Sequence, residues 1–216
     1  MKNIRRHYKV FFPLIYTLSI WVATPVIAVA MELFISNSYY NSTVSVLVTS
    51  MLLSMSHMFF DYFVFNGISS KNSSLRLLKS SKRGYRVLKN GLMIDQGLRL
   101  LNIILCEILG TVAVNCIWDD VNVPIVISIL FGLLVYAFTT AALIGLRYID
   151  GVSLYGPTMS IAAIVVMLAL LGVFLLMAYG ILSLIWVYLI GIIVSILATF
   201  FGDFAVLRSY KKSFIR

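Results

Sequence analysis

Six stretches of this chain are each apolar over roughly the 20 residues that a helix needs to cross a hydrocarbon core of about 30 Å. They run approximately over Val10–Leu33, Val44–Phe65, Leu98–Trp118, Val123–Leu146, Pro157–Tyr179 and Leu182–Val206. Pro13 and Pro25 fall inside the first and are candidates to bend it. Pro157, preceded by Gly156, suits a first helical turn. The outer connection near Gly180 leaves room only for a tight turn.

Composition agrees with this reading. Of 216 residues, 61% are hydrophobic and 12% charged, whereas a soluble domain runs near half apolar and a quarter charged. A disordered chain, a disulfide scaffold and an ordinary soluble enzyme are thereby excluded. The expected fold is all-α: one polytopic transmembrane domain over residues 1–216 with six transmembrane helices.

The 17 Lys and Arg residues set the topology. They lie in the N-terminal segment, in the connection between the second and third stretches up to Arg99, at Arg147 and in the C-terminal tail. Six spans put these four segments on one side. The opposite connections hold Glu32, Asp119 and Asp120 and no cation. By the positive-inside rule both termini are expected in the cytoplasm. The net charge of +9 then reflects topology, and no nucleic-acid partner is expected. A signal peptide is the rival reading of the N-terminus, but its apolar run exceeds the usual 7–15 residues or so.

One connection is long, roughly residues 66–97, and it carries the most cations. A Ser-rich exit leads to Leu75-Arg76-Leu77-Leu78-Lys79, a short amphipathic stretch. Ser80 and Ser81 offer a helix N-cap. Tyr85, Leu88 and Leu92 then recur at helical spacing, opposite Lys82, Arg86 and Lys89. Two short interfacial helices are expected, the second running into the third span. They fit either anchoring on anionic membrane lipids or docking of a cytoplasmic partner.

Ionisable groups at bilayer depth are costly and are functional candidates. Glu107 lies near the middle of the third span, with Thr111 and Asn115 following on the same helix face. The stripe reads as the lining of a translocation path or a subunit interface, or as a protonated Glu107 hydrogen-bonded within the bundle. His57 and Asp61 are also one turn apart. No third ligand can be named, so a hydrogen bond between them is expected and no metal site. Met51, Met55 and Met58 read as packing, and Asp203 as a residue that reaches the interface or pairs with a cation. Ala137, Ala141 and Gly145 suggest a close helix contact, within the bundle or with a second subunit. Cys106 and Cys116 stand about 15 Å apart along one helix, too far for a disulfide. The two Asn-x-Ser/Thr sequences, at Asn41 and Asn72, carry little weight.

The chain has no Walker phosphate loop, no H-E-x-x-H and no G-x-S-x-G, and no catalytic residue is nominated.

The layout resembles the membrane subunit of an ABC exporter, specifically the six-span permeases of the drug and peptide export class. Leu77-Leu78-Lys79-Ser80-Ser81-Lys82-Arg83-Gly84-Tyr85-Arg86-Val87-Leu88-Lys89 is similar to that family's signature ahead of the third span. The resemblance implies a coupling helix over about Lys71–Lys79, with Lys71, Leu75, Arg76, Leu77, Leu78 and Lys79 docking on an ABC ATPase subunit. It further implies a second permease subunit, identical or related, and a plasma (inner) membrane location. This chain would bind no cofactor; ATP and Mg would belong to the partner ATPase. The substrate would be amphipathic: a peptide, lipid or drug. The N-terminal segment is shorter than the family's elbow helix, and the last two spans leave little room for outer re-entrant helices. The alternative is a non-ATP small-solute carrier or an accessory membrane subunit.

Overall fold

The computed structural model describes residues 17–39, 42–61, 81, 83–117, 124–148, 155–180 and 183–213. Nearly all of them are helical, and none lies in a strand. Helix α1 spans Thr24–Tyr39 and is entered through one π-helical turn, Ser19–Ala23. It is followed by α2 (Ser42–Asp61), α3 (Gly84–Ile117), α4 (Ile125–Tyr148), α5 (Tyr155–Ala178) and α6 (Leu184–Ser213). Each apolar stretch of the sequence thus overlaps one of these described helices.

Among the described residues, four segments are long and apolar enough to cross a membrane: Ser19–Ser36, Gly84–Ile117, Ile125–Leu143 and Ser160–Ala178. The apolar parts of α2 and α6, Val44–Phe59 and Ile185–Phe201, are shorter. The surface carries Val22, Val26 and Phe34 of α1, Ile161, Val165 and Leu168 of α5, and Trp186, Ile193 and Phe200 of α6, all exposed. Buried among the helices are Glu32, Ser50, His57, Asn102, Glu107, Thr111 and Ser128. A water-soluble bundle distributes these residue types the other way round. An apolar exterior over a polar seam is the arrangement suited to a lipid solvent, where helix contacts rest on packing and hydrogen bonds.

Side-chain contacts fix the direction of each helix. Ile20 of the π-turn meets Asn102, whereas Glu32 meets Gly110, so α1 runs parallel to α3. Ser50 meets Glu107 and His57 meets Asn102, so α2 is antiparallel to α3. Thr111 meets Ser128 and Ile104 packs on Gly132, so α4 is antiparallel to α3 as well. Leu134 touches Gly191 and Tyr136 bonds Thr199, which sets α6 parallel to α4. The start of α3 and the ends of α4 and α6 therefore share one end of the bundle. Arg83, Arg86 and Lys89, Arg147, and Arg208, Lys211 and Lys212 occupy these positions in the sequence.

Several element ends differ from expectation. The helix that carries the third span begins at Gly84, so the expected interfacial helix does run into that span, and its 34 residues make a rod of about 51 Å. The expected interfacial helix over Tyr85–Leu92 is its first part. Ser81 caps this start: its hydroxyl accepts from the Arg83 amide at 3.3 Å, and its carbonyl from the Gly84 amide at 2.9 Å. Arg99, counted with the cytoplasmic cations, is buried about four turns inside α3. Glu32, assigned to an outer connection, lies within α1 and is fully buried. Both corrections share one cause: a hydropathy window ends a span at a charge, while the helix continues when that charge has a protein face to turn to.

Pro25 shapes the entry to α1. A π-turn bonds each amide to the carbonyl five residues back, as the Thr24 amide does to Ser19. The next donor would be Pro25, which has no N–H, so the Ile20 carbonyl is released from the helix. Pro13 lies outside the described residues. After α5, Gly180 takes φ of 70°, the left-handed conformation that glycine adopts without a Cβ penalty. Its amide donates to the Met177 carbonyl at 3.0 Å, closing the helix in the expected tight turn.

Candidate functional site: a polar seam along the third helix

Helix α3 buries Asp95, Arg99, Asn102, Cys106, Glu107, Gly110 and Thr111, a run at three- and four-residue spacing that forms one face. Facing it are the polar sides of α1, α2 and α4. The seam begins with an ion pair one helical turn apart, Asp95 with Arg99 at 2.5 Å, both side chains almost wholly buried. Oppositely charged neighbours at this spacing lie side by side on one helix and attract each other.

Asn102 is the next element. Its Nδ2 donates to the released Ile20 carbonyl at 2.8 Å. Its Oδ1 lies 3.0 Å from His57 Nε2 and accepts from Cys106 Sγ at 3.8 Å. The amide oxygen must accept in this arrangement, so the His57 proton sits on Nε2. One side chain thereby joins the π-turn, α2 and α3, and occupies a carbonyl that would otherwise be stranded in an apolar medium.

One turn further, Ser50 donates to Glu107 Oε1 at 2.6 Å. Glu107 Oε2 has no hydrogen-bond partner among the described residues, and neither oxygen of Glu32 has one. The Glu32 carboxyl fills the volume that a side chain at position 110 would take. Gly110 is one turn from Glu107, so both acids lie on the same patch of α3. The hydroxyls of Ser36, Thr49 and Ser54 are likewise buried without a partner among the described residues. At the far end Thr111 and Ser128 share a short hydrogen bond between α3 and α4.

Of the residues singled out from sequence, Glu107 and Thr111 are both buried in this seam, while Asn115 is half-buried one turn beyond. Lys71, Leu75, Arg76, Leu77, Leu78 and Lys79 lie outside the described residues. His57 pairs with Asn102, and the Asp61 side chain is outside the description. No group of three His, Cys, Asp or Glu side chains fit for a metal occurs among the described residues. Met58 is a core residue with Met51 and Met55 packed against that core. Ala137 is buried but Ala141 exposed. The surroundings of Gly145 and of the Asp203 side chain lie outside the description. Cys106 is buried and Cys116 exposed, both as free thiols.

Asp95, Asn102, Ser50 and the inward role of Glu32 were not anticipated. Two of these had a readable signal. Asp95 and Arg99 are spaced for an intrahelical pair, and Ala28, Glu32 and Ser36 repeat every fourth residue, so a small inward face was available. Asn102 and Ser50 gave none, because their importance depends on which helices meet.

A second feature lies on the outside. Between α3, α4 and α6 runs a mainly apolar groove of about 450 Å³, bounded by Leu100, Leu133, Tyr136, Ile196, Thr199 and Phe200. The Tyr136 hydroxyl and Thr199 bond at 2.8 Å across it.

No family model matches this chain, and no curated protein or solved structure does either.

Proposed function

We propose that this chain is the permease subunit of a membrane transport complex, with six transmembrane helices and both termini in the cytoplasm, in the plasma (inner) membrane. The observation that carries a transport role is the buried seam. Glu32, Glu107, Ser36, Thr49 and Ser54 bring polar atoms to bilayer depth that no described hydrogen bond uses. Such groups cost free energy in a packed bundle, and a path for a polar or amphipathic substrate is a use that offsets the cost. The resemblance to ABC exporter permeases supplies the energy source: ATP hydrolysed with Mg in a separate ATPase subunit, docked on Lys71, Leu75, Arg76, Leu77, Leu78 and Lys79. The segment joins the end of α2 to the start of α3, which is the basic end of the bundle. A second permease subunit would complete the path along Glu107, Thr111 and Asn115. The substrate would be a peptide, lipid or drug.

The test is purification of the tagged chain from its native membrane. An ATPase subunit should co-purify, and replacing Arg76, Leu78 and Lys79 together with Ala should abolish that association while leaving insertion intact. Retention of the ATPase by the triple variant would remove the docking assignment. A non-ATP small-solute carrier or accessory membrane subunit is the second reading. The two buried carboxyls favour it, since ion-coupled carriers place such groups at the bilayer midplane.

A further inference from the structure

We propose that Glu32 and Glu107 together form a membrane-embedded site for one small monovalent cation, a proton or a sodium ion. The inference rests on the reading that these helices lie in a bilayer; it does not depend on ATP-driven transport.

The geometry comes first. Glu32 is fully buried, with neither carboxyl oxygen hydrogen-bonded to a described residue. It is pressed against Gly110 of α3, and Glu107 lies one turn away on the same helix. Residues at this spacing have side-chain origins roughly 5–6 Å apart. Glu107 is also fully buried and keeps one oxygen unpartnered among the described residues. Around the pair stand oxygen atoms that a cation can use: the Ser50 hydroxyl, already on Glu107, and the Ser36 hydroxyl, buried one turn along α1 from Glu32.

The charge balance comes second. The described parts of α1 and α2 contain no Lys or Arg. Helix α4 has only Arg147, near its far end. On α3 the nearest cation is Arg99, eight residues and about 12 Å from Glu107 along the axis, and it is paired with Asp95. Among the described residues, the other titratable groups along the seam are His57, bonded to Asn102, and Cys106. Among the described residues, therefore, no cation neutralises the two acids. Two adjacent carboxylates cannot both stay ionised in so apolar a setting. The balancing positive charge, which no described residue supplies, enters as a proton on a carboxyl or as a metal ion among the oxygens. Oxygen-only ligation suits sodium and gives no purchase to softer metals.

Dicyclohexylcarbodiimide reacts with protonated carboxyls in apolar surroundings and so reads occupancy directly. The full chain, in lipid nanodiscs without ATPase or substrate, would be treated at pH values from about 5 to 9, with and without sodium chloride. Choline chloride would serve as the ionic-strength control, and adducts would be mapped by peptide mass spectrometry. Labelling is expected at Glu32 or Glu107. A sodium site shows at least tenfold slower labelling with sodium than with choline. A proton site shows at least tenfold slower labelling at high pH with no sodium effect. In Glu32→Gln, labelling of Glu107 should change at least tenfold in rate or lose its pH and sodium dependence. If neither residue is labelled, or if labelling is constant across pH and sodium, the site is overturned: the acids are then inaccessible or permanently neutral. Unchanged Glu107 behaviour in Glu32→Gln overturns the pairing. Should that variant fail to fold, the pH and sodium series on the unsubstituted chain decides. Because no ATPase takes part, failure here is distinct from failure of the docking assignment.

Discussion

The carboxyl of Glu32 on α1 sits in the space left by the missing side chain of Gly110 on α3. Neither residue explains itself alone. A glycine inside a helix costs about 1 kcal/mol relative to alanine, and a fully buried, unpaired glutamate costs more. Together they bring two helices close and place an acid beside Glu107.

Gly110→Ala should therefore be destabilising, although alanine is the better helix former. The added methyl would overlap the carboxyl, and overpacking of this kind costs about 1–3 kcal/mol. Thermal unfolding in nanodiscs should show a lower midpoint. In the Glu32→Ala background the same substitution should be neutral or stabilising. Additive effects in this double-mutant cycle would contradict the contact.

Asn102→Leu should lower stability by several kcal/mol, since it strands the Ile20 carbonyl and the His57 Nε2 proton at about 1–3 kcal/mol each. Asn102→Gln, which keeps the amide but lengthens its arm, should not restore full stability. Adding Pro25→Ala to Asn102→Leu should recover part of the loss, because the restored amide allows regular helical bonding at the entry to α1. No recovery would show that the π-turn has another origin.

The Asp95–Arg99 pair should be asymmetric in its response. Arg99→Met alone removes half of a buried ion pair and should cost about 3–5 kcal/mol. The double substitution Asp95→Leu with Arg99→Met should cost much less. Chemical denaturation of the reconstituted chain would measure both, and equal losses would mean that other contacts dominate.

Sided labelling tests the bundle's polarity. In a chain lacking Cys106 and Cys116, Arg86→Cys and Lys211→Cys should react with an impermeant thiol reagent from the same side of the membrane. Asp120→Cys should react only from the other. Reaction of residues 86 and 211 from opposite sides would contradict the derived helix directions.

Helix identity was legible in this sequence because bilayer-length apolar runs leave few alternatives. Helix ends were less so. Glu32 and Arg99 read as boundaries, since a charge is costly in lipid; in fact each faces protein, and only tertiary contacts supply that information. The site was half visible. Glu107 stands out as a lone acid among apolar residues, whereas its neighbour Glu32 reads as a loop residue. Asn102 had no pattern at all, and its role follows from an absent amide on Pro25, 77 positions earlier.

The inverted distribution of side chains has a consequence for how the molecule holds together. The outward Leu, Ile and Phe residues keep the helices in the lipid but do little to choose their neighbours, because a hydrocarbon tail is as good a companion as another helix. Choice of neighbour falls to the seam, where an amide, a hydroxyl or a carboxyl finds one mate and no other. Assembly of α1–α4 is accordingly a matter of lock-and-key recognition between polar atoms. Exchanging one greasy surface residue for another should leave the arrangement intact, whereas moving a single seam residue by one position would leave the helices with no reason to meet in this order.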